Sequence, residues 1–129
     1  MQNISFNFVE ERNFMILTNI ETIPGQTIAE HYGMVSGSSV RAKHFGRDFV
    51  AGVKNMFGGE IEEYTELMNE ARKEATKRMV LAAMQMGANA IVNVRYATSA
   101  ITAGAAEVYA YGTAVKVQGG NIDIGEGVK

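Results

Sequence analysis

Residues 36–48, SGSSVRAKHFGRD, gather most of the groups in this chain that are equipped for chemistry. Arg41, Lys43, His44 and Arg47 stand beside a Ser/Gly-rich run that leads into a helical pattern. Backbone amides at a helix start, with arginine, can hold an anion. The phosphate-binding loop pattern is missing, as is a Gly-x-Gly-x-x-Gly after a strand. A solvated basic turn explains the same residues, and Asp48 suits the positive end of a helix without further purpose. Ser36, Ser38 and Ser39, with His31 or His44 as base, are the candidates for a nucleophile, yet no nucleophile elbow surrounds them. A Ser/Gly turn is the simpler reading.

Metal chemistry has thinner support. Glu30 and His31 are adjacent, so on a strand they point to opposite faces and cannot share one ion. His31 and His44 are the only histidines, and there is no cysteine. A soft metal would therefore depend on methionine or histidine. Of the eight methionines, those at helical spacing are more simply read as core. Asp48, Glu62, Glu63 and Glu66 have the oxygens for a hard ion between subunits, but as solvated or capping charges they need no ion. No metal site is assigned.

The elements that must position these groups follow from periodicity. NFMILTNIET (13–22) reads as a strand ending at a Pro24–Gly25 turn. QTIAEHYGMVSGSSV (26–40) alternates as a second strand, with Ile28, Glu30, Tyr32 and Met34 on one face. Gly33 inside it marks a bulge or a close approach. FGRDFVAGVKNMF (45–57) has helical spacing and closes on Gly58–Gly59, a cap signal. A long helix follows over 60–86, striped by Tyr64, Met68, Ala71, Ala75, Met79, Ala82 and Met86. Gly87 ends it. A strand starts almost at once, with Ala90, Val92, Val94 and Tyr96 facing one way and Ile91, Asn93 and Arg95 the other. Residues 99–104 read as a loop, and 105–117 as the last strand. One face of that strand, Ala106, Val108, Ala110, Gly112, Ala114 and Lys116, is almost all small, which lets a helix lie close. Residues 1–12 give no clear reading, and 118–129 are expected to be a flexible tail.

Length and composition set the outer bounds. The chain has 129 residues, 47% hydrophobic and 20% charged, with a formal net charge of −2. It is expected to form a single domain over 1–129. The near-balance of charge argues against nucleic acid as a partner, and no apolar run reaches the ~20 residues that span a bilayer. The first residues lack the pattern of a signal peptide, and the expected location is the cytoplasm. A helix of this length extends about 40 Å, whereas an eight-residue strand covers about 27 Å. One small sheet cannot shield the whole stripe, so self-association is expected.

With these elements in place, the chain resembles the YbjQ-like family of small bacterial proteins over about residues 23–117. That family's label points to heavy-metal binding, and no biochemical activity is established for it. The resemblance rests on PGQTIAEHYGMVSG, with its Ser36–Gly37, and on FGRDFVAGVKNMFGG, with Arg47–Asp48–Phe49, Ala51–Gly52 and Gly58–Gly59 in order. Tyr64, Ala71–Arg72, MGANAIVNVRY and the closing GTAVKV complete it. It departs at Ser38 and Arg95, where the family commonly has an acid, and at Glu60, where a basic residue is common.

The resemblance implies an α+β fold: a small β-sheet packed by one short and one long helix, a dodecin-like subunit in a ring-shaped homopentamer. Ser36, Gly37, Arg47, Asp48, Tyr64 and Arg72 are its candidate ligand-binding residues. No cofactor is identified. The functional expectation is a cytoplasmic oligomeric module that binds a small anion or metal ion at subunit interfaces. The alternatives are an enzyme with an inter-subunit site around Arg47, Asp48 and Tyr64, or a ring that serves purely as a scaffold.

Overall fold

A computed structural model describes residues 4–7, 14–42 and 59–119. These form strands β1 (Ile4–Asn7), β2 (Phe14–Leu17) and β3 (Gln26–Ala42), helix α1 (Gly59–Met86), and strands β4 (Ala90–Thr102) and β5 (Ala105–Gly119). The strands make one mixed sheet in the order β1-β2-β4-β5-β3. β2 runs parallel to β4, and the other neighbours are antiparallel. β3 and β4 therefore run the same way on either side of β5, joined through α1 as a split βαβ unit. The architecture is α+β, as expected. The short helix read over 45–57 lies outside the described residues, as does the tail from 120 onward.

Most elements follow from local chemistry. Pro24 and Gly25 make the turn into β3, with the Gln26 amide donating to the Ile23 carbonyl at 2.9 Å and Gly25 at φ 82°. That positive φ at the third turn position favours glycine. At the end of α1, the Gly87 amide donates to Met84 O and the Ala88 amide to Ala83 O, at 3.0 and 3.1 Å. Those paired bonds are a Schellman cap closed by a left-handed glycine. Asn89 then completes the joint. Its side-chain amide donates to Val117 O, and its Oδ1 accepts from the Val117 amide, at 3.0 and 2.8 Å. The side chain thus supplies ladder bonds to β5 before the strand proper begins.

The core lies between α1 and one face of the sheet. Ala71, Ala75, Met79, Val80 and Ala83 pack with Val35, Ile91, Val94, Val108, Ala110 and Ala114. The small face expected of β5 is therefore the one beneath the helix. At Gly37 the approach is tightest: a Cβ there would lie 2.4 Å from both Ala75 O and Met79 N. The middle of the expected stripe is fully buried, but Met86 is 42% exposed, so cover runs out at that end of the helix. The burial of Thr76 and Val80 widens the hidden arc to roughly half the circumference at 100° per residue.

Four expectations need correction. β4 continues through 99–102, leaving Ala103–Gly104 as a two-residue loop in place of the longer one. β2 is shorter than 13–22, because the chain bends over 19–22 even though Thr18 and Ile20 still bond to the β4 backbone, and β5 extends to Gly119, past the expected start of the tail. The faces of β4 also change partway along. Asn93 has φ 55°, and the register with β5 shifts between Val92 and Arg95. This bulge puts Ile91 and Val94 together under α1. Ala90 and Val92 face the other way, with Ile16, Ile23, Val115 and Val117. An extra residue reverses the alternation that strict period-two reading assumes. β3 is bulged as well, at Ile28/Glu30 and at His31/Gly33. Gly33 has φ 103° and open space where a Cβ would stand, so it serves the bulge rather than a close approach.

Candidate functional site

The residues singled out from the sequence are divided by the sheet. Ser36 is exposed on the face of β3 away from α1, since it pairs with Tyr111. Gly37, on the other face, lies against the helix backbone, so its lack of a side chain is accounted for by packing. Tyr64 is half-buried on α1. Arg72 is exposed on the same helix, donating through Nη2 to the side-chain oxygen of Asn69. The helix and Ser36 thus lie on opposite sides of the sheet. Arg47 and Asp48 lie outside the described residues, and so does His44. The serines weighed as nucleophiles do not form the expected Ser/Gly turn: all three lie within β3, Ser39 buried beneath α1 and Ser36 and Ser38 on the other face.

The helix side carries its own polar links, and they are structural. Arg78 Nη1 donates to the Ser38 carbonyl at 2.6 Å, and its Nε to Glu74 Oε2 at 3.0 Å. The helix thereby covers one carbonyl on the outer edge of β3, an edge that would otherwise invite pairing. Thr76 Oγ1 donates to Arg72 O and meets the Tyr96 hydroxyl, both at 2.8 Å. Near the other end of β3, the Tyr32 hydroxyl donates to Glu30 Oε1 at 2.5 Å. This bond holds the Tyr32 phenol above its ordinary pKa, assisted by desolvation and the carboxylate charge.

Among the described residues, the face away from α1 is covered only at one end, by Ile16 and Ile23 over Val92, Val115 and Val117. Beyond that cluster no described element covers it. Met34 is 71% exposed, Val40 51% and Tyr109 40%, and the Tyr109 and Tyr111 rings lie 5.4 Å apart. Here the β4 bulge opens a depression of about 250 Å³ lined by Met34, Asn93, Arg95, Tyr111, Gly112 and Thr113. Strand register sets Ser36, Tyr111 and Arg95 in one row across β3, β5 and β4. The backbone of Gly112 faces the bulge, where a Cβ would lie 2.7 Å from Ile91 Cγ2 and 3.0 Å from Val92 O.

Arg95 is held in place by backbone. Its Nη1 donates to Asn19 O at 2.9 Å and to Val94 O at 3.0 Å. The sequence marked Arg95 as a departure from the family pattern but offered neither it nor Asn93 and Tyr111 as site residues, because they come from two strands and form a site only through register. One signal was legible: an asparagine, tolerant of left-handed backbone, inside the apolar run AIVNV.

Metal ligation finds no support in this geometry. Among the described residues, no three or more histidines, cysteines, aspartates or glutamates are grouped closely enough to hold an ion. His31 is exposed on β3. The described histidine and carboxylate side chains are therefore not brought together as a ligand set for a metal ion. No helix among the described residues is long and apolar enough to cross a membrane.

Comparison with known proteins gives the lineage. Residues 15–118 match the YbjQ family model, described as "Putative heavy-metal-binding". A UPF0145 protein of Hahella chejuensis is 59% identical over 104 residues, covering 81% of this chain and all of the relative. A UPF0145 protein of Archaeoglobus fulgidus is 55% identical, covering 81% of this chain and 96% of the relative. The relatives therefore include archaeal proteins, so the family is broader than the bacterial group expected. The fold is also similar to a crystal structure of a DUF74-family protein of unknown function from Pediococcus pentosaceus. That likeness has a TM-score of 0.54 at 18% identity, covering 81% of this chain and 98% of the other. Given a match that spans most of its length and relatives this similar, the chain belongs to the YbjQ family, whose curated members here are UPF0145 proteins.

Proposed function

We propose that this protein is a cytoplasmic homo-oligomeric module that binds a small ligand or ion at sites beside its subunit interfaces. The observation that carries the proposal is the bare half of the sheet. Met34, Val40 and Tyr109 form an exposed apolar and aromatic surface on the same face as the depression around Arg95. Surfaces of that kind mark sites of association or ligand binding.

The strand edges favour a second copy of the chain as the cover. Among the described residues, β3 pairs only along its β5 side, and β4 beyond Arg95 pairs only with β5. Two different free edges on one subunit suit a head-to-tail interface, and such an interface closes into a ring when the rotation permits. A homopentamer is one such ring. Family description supplies the heavy-metal label, but the described residues support a ligand at the bare face better than a metal cluster.

Sedimentation velocity of the full chain at micromolar concentration tests assembly. The expected result is one species several times the 14.0 kDa chain mass, broken down by Tyr109→Lys, which places a charge on the bare face. A stable species at the chain mass would refute it.

A further inference from the structure

We infer that the depression beside the β4 bulge is an oxyanion site, in which the Nε–Nη2 side of Arg95 receives a phosphate or carboxylate group. The inference rests on the ligand-binding half of the function proposed above and does not depend on assembly.

Three observations converge. First, Arg95 is anchored through one nitrogen only. Nη1 is occupied by Asn19 O and Val94 O, whereas Nε and Nη2 have no partner among the described residues. An arginine fixed in this way keeps a planar pair of donors ready for two parallel bonds to an oxyanion, with less rotamer freedom left to lose. Arg72 and Arg78, by contrast, lie along the helix surface, and Arg78 is already paired with a carboxylate.

Second, the backbone has been bent at this spot. Asn93 is the one described residue other than glycine at positive φ, and Gly112 across from it admits no side chain. Bulges re-aim side chains, and strained backbone concentrates at functional sites. Here the bulge opens the hollow and leaves Arg95 at its rim.

Third, the remaining lining suits an anion with a small organic body. Tyr111 and Thr113 offer hydroxyls, Asn93 an amide, and Met34 an apolar wall. Among the described residues of that lining, Arg95 is the sole charged group. The volume of about 250 Å³ suits a phosphate or a short carboxylic acid better than a drug-sized ligand, which usually needs at least ~300 Å³.

The anion has two conceivable sources, a diffusible phosphate or carboxylate, or a carboxylate side chain of a second copy. The test titrates the full chain with inorganic phosphate and with acetate, against chloride at matched ionic strength. Amide and arginine Nε–H signals are followed by nuclear magnetic resonance, and sedimentation is run alongside. For a diffusible anion, the Arg95 Nε–H and the amides of residues 93–95 and 112–113 shift together. Arg95→Gln then weakens binding at least about tenfold, and Arg95→Lys, which keeps charge but loses the planar donor pair, recovers only part of it. For a carboxylate from a second copy, the titrations are silent but Arg95→Gln reduces the sedimenting mass, which also supports the site. Binding that Arg95→Gln and Arg95→Lys leave unchanged, or silent titrations with unchanged sedimentation, would overturn it. A wild-type chain that stays monomeric yet binds phosphate through Arg95 would defeat the assembly reading alone.

Discussion

On one face of the sheet, Gly37 has no room for a methyl group beneath α1, while on the other face Met34 is 71% exposed. The two positions are three residues apart on β3. Under α1, small residues let backbones approach closely, and two polar links (Thr76 to Tyr96, Arg78 to Ser38) tie helix to sheet. On the bare face, larger apolar side chains stand uncovered beside an arginine held by backbone carbonyls. Stability is concentrated on the first face, and capacity for partners on the second. The sheet shows that one strand can serve both ends, because alternate residues belong to different surfaces.

The comparison breaks most readily at Gly37. Gly37→Val drives a branched side chain into the backbone of α1, with an expected destabilisation of about 3 kcal/mol, read by urea denaturation. Ser36→Val, one residue away on the bare face, is expected to cost far less; equal losses would erase the contrast. At the bulge, Asn93→Val places a β-branched residue in left-handed backbone and is expected to cost about 1–2 kcal/mol, while Asn93→Gly stays near neutral. If both behave alike, the left-handed conformation at Asn93 carries no constraint. On the helix side, Thr76→Val removes the hydroxyl shared with Tyr96 and the Arg72 carbonyl, for a loss of about 1 kcal/mol.

The smallest effect concerns pH. Because the folded Tyr32 phenol is held above its ordinary value of 10.0, the unfolded chain loses that proton first as pH climbs. The associated stability is present below about pH 10 and fades as pH rises through the folded value. Glu30→Gln should bring the Tyr32 titration, followed by ultraviolet absorbance, back down toward the ordinary range. An unchanged titration would disconnect Tyr32 from Glu30.

Much of the helix-covered side was legible from residues alone. Gly87 ended the helix, the small face of β5 announced close packing, and Gly33 marked a bulge. Those features are local, or repeat with a fixed period. The bulge at Asn93 escaped period-two reading because one inserted residue exchanges faces for everything after it, moving Val94 and Tyr96 to the helix side. β1 was missed because four residues gain strand character only by pairing with β2. Of the candidate site, Ser36 was named from the sequence, but its face follows only from its pairing with Tyr111 across β3 and β5. Arg95 and Tyr111 were out of reach, since the neighbours that give them meaning are set by register across strands. Gly37 was recognised as special, but as a ligand position; the helix backbone above it supplies the physical reason for glycine.

Methionine oxidation by hydrogen peroxide compares the two faces with a single chemistry. Met79 is fully buried beneath α1 and Met34 stands on the bare face. Peptide mass spectrometry after a brief peroxide pulse reads both in one sample. The expected result is a Met79 that stays protected at every protein concentration, and a Met34 that reacts fast in dilute protein but becomes protected as the concentration rises and copies cover it. A Met34 oxidised equally fast at all concentrations would contradict the claim that this face is where the protein meets its partners.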